Sequence, residues 1–416
     1  MSALKEKFAQ FGPGLLYAGA AVGVSHLVQS TRAGAEFGFQ LLWVVLLVNI
    51  IKYPIFESGP RYAAATGKSL LEGYKRIGDW AVLIYMILSI STMFIIMAAI
   101  SIVTSGLFIQ LTGIHVDPRV GAVALLFVSV LLLGLGKYAT LDRFMKVIIV
   151  LLTVSTLIAV SLSFIEPSVQ YSEFFVDFEL TETAHLLFLV ALIGWMPAPV
   201  DISIWHSVWS ASKMKEQGRR IPLRTALQDF NLGYWGTTVL AVCFLSLGAL
   251  VLFGTGEELS TNSVEFSAQL VGMYTSNLGQ WAFPFIALAA FTTMFSTLLT
   301  CLDAFPRTLR KATKLLLPSL RIKKRHQPLY WFWIVLTAIG TSIFLLYFLS
   351  NMRAMVDLAT TISFVVAPIL AVLNYVAVND SSVPKAARQS SFLRYFNLFS
   401  ILILAAFSSW FVLSKF

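Results

Sequence analysis

The stretch GWMPAPVDIS, residues 194–203, decides how this chain folds. It lies in an apolar run long enough to cross a bilayer, yet it holds Pro197 and Pro199 two apart, followed by Asp201. Each proline lacks a backbone N–H and its ring clashes with the preceding turn, so this spacing unwinds the middle of a helix. Unwound backbone at membrane depth persists only where it is buried in protein or lines a cavity. An Asp near the bilayer centre costs roughly 2.5–3.5 kcal/mol on insertion scales and therefore needs a reason. Here the reason on offer is that it faces the unwound region, to bind a cation, pair with a histidine or take a proton.

A second interruption stands in the first apolar run, GAAVGVSHLVQ at residues 19–29, where Gly23, Val24, Ser25 and His26 fall together. Alone, Gly23 and Ser25 read as a small-residue packing contact between membrane helices. Paired with the proline break five spans later, they read as half of a site. Discontinuous helices in matching places of two halves point to a midplane binding site in a secondary transporter.

Composition supports a membrane setting. Of 416 residues, 57% are hydrophobic and 12% charged, against about 45–50% and 25% in soluble domains. Apolar runs of the roughly 20 residues needed to span occur at about 12–31, 40–58, 81–109, 119–136, 144–165, 183–209, 230–254, 279–301, 330–349, 354–376 and 391–414. With the amino terminus cytoplasmic, only Arg32, Arg119, Arg353 and Lys415 fall outside and Lys52 falls within the second span. The other 25 of the 30 Lys and Arg residues lie inside. The positive-inside rule therefore fixes an expected topology, amino terminus in and carboxyl terminus out. The net charge of +9 is a topology signal and does not indicate nucleic acid. The outward loops 166–182 and 255–278 are acidic, and the basic stretch 307–325 reads as a cytoplasmic loop that could touch lipid head groups.

The amino-terminal lysines and short apolar run mimic a signal peptide, but the run continues, which favours an uncleaved first membrane helix. Cys243 and Cys301 have no CxxC spacing and indicate neither zinc nor a disulfide. TGKS at 66–69 resembles a phosphate-binding loop, but Tyr62 stands where that motif needs glycine. No Ser/His/Asp set or HExxH suggests an enzyme.

The expected architecture is a single all-α transmembrane domain, 1–416. A five-helix repeat at 12–165 is followed by a second, inverted one at 183–376 and an extra helix at 391–414. Segments 1 and 6 are broken. In segment 8, Thr293, Ser296 and Thr297 share one helical face. Such hydroxyls suit a hard cation together with carbonyls freed by an unwound helix; the alternative is hydroxyls bonded to their own backbone.

The run GPGLLYAGAAVGVSHLVQSTRAGAEFGFQLLWVVLLVNI, the later TGKSLLEG and ALIGWMPAPVDISIWHS resemble the Nramp (natural resistance-associated macrophage protein) metal-ion transporters. Matching features include Gly12-Pro13-Gly14, Gly34, Gly38, Leu41-Leu42-Trp43 and Thr66-Gly67-Lys68. The resemblance is best over 12–76 and 190–212. It implies a LeuT-type fold of inverted five-helix repeats and cation transport by alternating access, in a bacterial inner membrane.

The departures are specific. Where the family carries Asp-Pro-Gly-Asn, this chain has Gly23, Val24, Ser25 and His26; the family's segment 6 Met corresponds to Met196, and its next His to Ala198. The family's acidic residues in segment 3 and arginine in segment 9 have no counterpart in 81–109 or 330–349. A metal site would have to be rebuilt from His26, Met196 and Asp201, within a substrate site also taking in Trp195 and Pro197. GAAVGVSH is also similar to the first unwound helix of sodium-coupled amino-acid transporters of the same fold. That resemblance implies a sodium site from Ala20, Gly23, Thr293, Ser296 and Thr297.

The leading expectation is an Nramp-related secondary transporter of a cation, a divalent metal at family level. The alternative is a Na⁺-coupled symporter of a small organic solute; a channel or receptor on the same fold is a further class. No organic cofactor is expected. Na⁺ or a divalent cation enters as coupling ion or substrate, and membrane lipids surround the protein.

Overall fold

A computed structural model describes residues 12–135, 138–165, 178–318, 327–348 and 351–415. Lys5, Lys7, Glu166, Glu173, Asp177, Arg321 and Lys323–Arg325 lie outside the described residues, as do the side chains of Lys137, Arg143 and Lys146. Segment 1 begins with α1 (Pro13–Ala21), passes through a widened turn at Ser25–Ser30 and resumes as α2 (Thr31–Phe37). Segments 2 to 5 are α3 (Leu42–Thr66), α5 (Asp79–Thr112), α6 (Pro118–Gly134) and α7 (Tyr138–Ser163), with a short α4 (Leu70–Ile77) between the first two.

Segment 6 is α8 (Thr183–Trp195), an extended break, and α9 (Asp201–Gln217). Then follow α10 (Leu223–Val251), α11 (Ser263–Leu278), α12 (Phe283–Leu316), α13 (Gln327–Tyr347), α14 (Met352–Asn379) and α15 (Ser391–Lys415). The broken helices are the first members of two five-segment sets, with α15 added at the end. Seven of the described helices are individually long and apolar enough to span; α6 and the part of α7 from Val150 to Ser163 are shorter apolar helices, and the halves of segments 1 and 6 are each only part of a span.

Local chemistry explains the punctuation. TGKS is a helix stop followed by a helix start. Gly67 takes the left-handed conformation at the end of α3 (φ 71°), and Ser69 opens α4 by sharing a capping box with Glu72. Ser69 N–H donates to Glu72 Oε2 at 2.7 Å. Burial alone would raise the Glu72 carboxyl, but Lys311 and these Ser69 donors outweigh it, holding it below the ordinary range.

The structure departs from the sequence reading in two loops. The basic stretch from Arg307 remains helical to Leu316, and Asp303 helps by pairing with Arg307 one turn on at 2.8 Å. The outward 255–278 loop contains α11, capped by Asn262, whose side chain accepts from the Val264 N–H at 2.8 Å.

Two crossings place the halves of segment 1. At α2 against α10, a Cβ on Gly34 would lie 1.9 Å from the Leu245 carbonyl, and one on Gly248 would lie 2.2 Å from the Thr31 carbonyl. Each helix uses a glycine to admit the other's backbone, the usual membrane solution for close approach. At α1, Asp229 of α10 accepts from the Gly14 N–H (2.8 Å) and the Gly12 N–H (3.2 Å), satisfying orphan donors at the helix start. Asp229→Ala should therefore lower thermal stability by about 1 kcal/mol, as loss of a cap does. A melting curve of the purified protein checks this.

Candidate functional site

In segment 1 the helical ladder stops at Ala21, and Val22 is extended (ψ 90°). Carbonyls that would have bonded one turn ahead are freed. Thr297 Oγ1 of α12 lies 3.0 Å from the Gly19 carbonyl, 3.1 Å from that of Val22 and 3.2 Å from that of Thr293. One hydroxyl hydrogen thus faces three acceptors. The result is a buried, electron-rich cluster of oxygens shared by segments 1 and 8. Thr293 Oγ1 is buried without a hydrogen-bond partner, and Ser296 is buried on the same helix. Gly23 is needed here, since a Cβ would come within 3.0 Å of Thr297 Cγ2.

His26 turns toward α10, while Ser25 bonds within its own segment. His26 Nε2 meets the Thr237 carbonyl at 2.9 Å, and Nδ1 meets Ser25 Oγ at 2.7 Å. A carbonyl only accepts, so the Nε2 position carries a proton. With a neutral ring, Nδ1 is then an acceptor. The Ser25 hydroxyl must choose between it and the Ala21 carbonyl 2.8 Å away.

In segment 6, α8 ends at Trp195, whose Nε1–H donates to Ser363 Oγ of α14 at 2.7 Å. The proline at 197 has no N–H for the Ile193 carbonyl, and Ala198 lies in the break, beyond helical reach of the Gly194 carbonyl. Both carbonyls accept instead from Lys52 Nζ of α3, at 2.5 and 3.0 Å. Lys52 is completely buried. Asp201 opens α9, where a carboxylate complements the helix dipole. It is buried with Ser89, Tyr74 and Tyr85 as electrostatic neighbours.

Between the breaks lies a cavity of about 20 Å³, lined by Ala20, Ala21, Val24, Ser25, Ile96, Ile100, Trp195, Pro199, Ile202, Trp205, Thr297 and Cys301. Of the predicted residues, Ala20, Val24, Ser25, Trp195 and Thr297 line it. Gly23, His26, Met196, Pro197, Ala198, Asp201, Thr293 and Ser296 do not. The lining is mainly apolar. Among the described residues there is no cluster of three His, Cys, Asp or Glu side chains able to hold a metal.

Ile96, Ile100, Trp205 and the bonding role of Lys52 are not among the residues expected from the sequence. Two signals were present: a lone charge inside an apolar span, and Ile202 with Trp205 three apart on the helix that starts at the break. His206 and Asp303 have local roles. His206 Nδ1 lies 3.2 Å from Ser210 Oγ, with its ring against Tyr17 and Phe230; Asp303 bonds Arg307 and the Tyr330 hydroxyl.

Larger cavities flank the site at either end. One, of about 880 Å³, includes Arg32, Glu36, Glu182, Glu257, Glu258, Arg353 and Asp357. The other, of about 640 Å³, includes Lys68, Lys215, Arg219, Arg220, Arg307, Arg310, Lys311 and Lys314. Neither shares a lining residue with the central cavity. At the first, Arg32 Nη1 donates to Asp357 Oδ1 (2.7 Å) and to Gln29 Oε1 (3.0 Å), while Arg353 reaches Glu36 (2.7 Å), latching α2 to α14.

Comparison with known proteins places this arrangement. The sequence model of the natural resistance-associated macrophage protein-like family matches residues 14–414. An uncharacterized protein of Pasteurella multocida is 36% identical over 371 residues, covering 88% of this chain and 84% of that one. A divalent metal cation transporter, MntH, of Pediococcus pentosaceus is 23% identical over 304 residues, covering 69% and 66% respectively. Among solved structures, a manganese transporter of Eremococcus coleocola superposes with a TM-score of 0.72 at 14% identity, covering 97% of this chain and 86% of that chain. MhsT in complex with L-phenylalanine superposes with a TM-score of 0.65 at 15% identity, covering 97% and 98%. The fold is the LeuT type, two inverted five-helix repeats with an eleventh segment. The chain belongs to the Nramp family of integral membrane transporters.

Proposed function

We propose that this protein is a secondary active transporter that moves a cation across the membrane by alternating access, with Na⁺ as the coupling ion. The observation that carries the reading is the cluster around Thr297, where one hydroxyl hydrogen faces the carbonyls of Gly19, Val22 and Thr293. An all-oxygen set with no carboxylate suits a hard cation of low charge such as Na⁺, since no anionic ligand is present to offset a second positive charge. A divalent metal is the proposed cargo. Family membership supports it, together with the MntH relatives named as divalent metal cation transporters.

The apolar lining of the central cavity, with Trp195 and Trp205, favours a second reading, in which the cargo is a small organic solute. Uptake into proteoliposomes separates the two. Manganese accumulation that needs a Na⁺ gradient supports the first. Absence of any response to Mn²⁺ or Mg²⁺, with Na⁺-dependent binding of an organic solute, replaces it with the second. Channel-like ohmic currents would overturn both.

The bias of Lys and Arg supports a cytoplasmic amino terminus and an outward carboxyl terminus. In that orientation the Gln29–Arg32–Asp357 group is the outer gate, and the central cavity is closed to both sides. Asp357→Ala should shift the protein toward its outward-open form, because Arg32 and Gln29 lose their shared acceptor on α14. A rise in labelling of a cysteine placed at Ser25 by an impermeant reagent added outside checks this; unchanged labelling would remove the gate assignment.

A further inference from the structure

Lys52 stands in the middle of α3, completely buried, far from either end of its helix. No Asp or Glu among the described residues pairs with it. Its partners are the Ile193 and Gly194 carbonyls, and the break itself creates them. The helical partner of the Ile193 carbonyl would be the N–H of residue 197, which is proline, and that of the Gly194 carbonyl lies in the extended segment. They also form the negative end of the α8 dipole. Freed carbonyls at the end of a half-helix are where transporters of broken-helix design hold a cation. A lysine ammonium is a compact point charge on a flexible stem, suited to that position.

We propose that Lys52 is a built-in cation. Its ammonium fills the carbonyl end of α8, so that the exchangeable cation is confined to the Gly19–Val22–Thr297 cluster on the other break. This rests on the cation-transport reading above, but it concerns a different pair of carbonyls and is tested separately. The fixed charge does the work of one ion without being transported. It also opposes entry of a second cation between the breaks.

The test removes the tether and supplies the charge from solution. Lys52→Ala in the full-length purified protein should lose uptake about tenfold, the effect of leaving buried acceptors unpaired. Methylammonium, or K⁺, should restore its melting temperature and uptake saturably, while bulky choline should not. Wild type should ignore methylammonium. Lys52→Met, which keeps the length without the charge, should be impaired and not rescued; Lys52→Arg should retain function better than Lys52→Met. The Arg and Met pair decides the matter where Lys52→Ala does not fold. Wild-type uptake by Lys52→Met, or a Lys52→Ala variant indifferent to every small cation, would overturn the proposal. Binding of Na⁺ by the Lys52 variants, read as a thermal shift that Thr297→Val abolishes, reports on the cation site independently.

Discussion

Thr297→Val is expected to abolish Na⁺-driven uptake while the protein still folds and purifies. Valine matches threonine in shape, so the packing of α12 against the first break is kept. What disappears is the hydroxyl that lies within hydrogen-bond distance of the Gly19, Val22 and Thr293 carbonyls. Leaving buried acceptors unpaired costs about 1–3 kcal/mol, which a domain of ordinary stability tolerates. Transport does not tolerate it, because the hydroxyl is also a ligand of the proposed cation. Thr297→Ser keeps the oxygen and should retain Na⁺ dependence, which separates chemistry from shape. Uptake in proteoliposomes and the Na⁺-induced shift in melting temperature are the two readouts. A valine variant with wild-type Na⁺ dependence would remove the cluster from the mechanism.

Gly34→Leu should be the most damaging single change to the fold. Even a Cβ would stand 1.9 Å from the Leu245 carbonyl, a backbone atom that cannot rotate away. The leucine must push α2 off α10, and the Gly248 contact on the opposite face of the crossing opens with it. Overpacking of this sort costs about 1–3 kcal/mol, and more when rigid backbone is involved. Because α2 carries Arg32 and Glu36, the latch to α14 should fail as well. The expected result is poor yield of folded protein and, in what survives, a melting temperature lowered by several degrees. Gly272, where a Cβ would meet nothing within 4 Å, provides the control: Gly272→Ala should leave both unchanged.

Much of this was legible in the residues, and the reasons are physical. A bilayer demands long apolar runs, so the eleven segments follow from hydropathy. Two prolines only two apart, and a glycine beside Ser25 and His26, mark both breaks before any contact is known, whereas Pro54 and Pro60, six apart, leave α3 continuous. The face shared by Thr293, Ser296 and Thr297 follows from helical period.

Other features depend on where side chains turn, which local sequence does not specify. The sequence reading puts His26 in the break, but it stands in the widened turn just after it, and its ring bonds a carbonyl 211 residues away on α10. Lys52 reads as an isolated charge until Pro197 is seen to free the carbonyls it serves. The walls of the central cavity come partly from Ile96 and Ile100, which look like any other apolar residues of α5. Extension of α12 to Leu316 was hidden by its charge, since a basic helical end and a basic loop have the same composition.

Alternating access requires the cavity between the breaks to open to the two sides in turn. Cys301 lines that cavity, and the other cysteine, Cys243, is removed by Cys243→Ser. The decisive measurement is labelling of Cys301 in oriented proteoliposomes by an impermeant thiol reagent added to one side at a time. Labelling is expected from either side, with Na⁺ and cargo together slowing both by holding the cavity closed. Labelling from one side only, whatever the ions present, would contradict it.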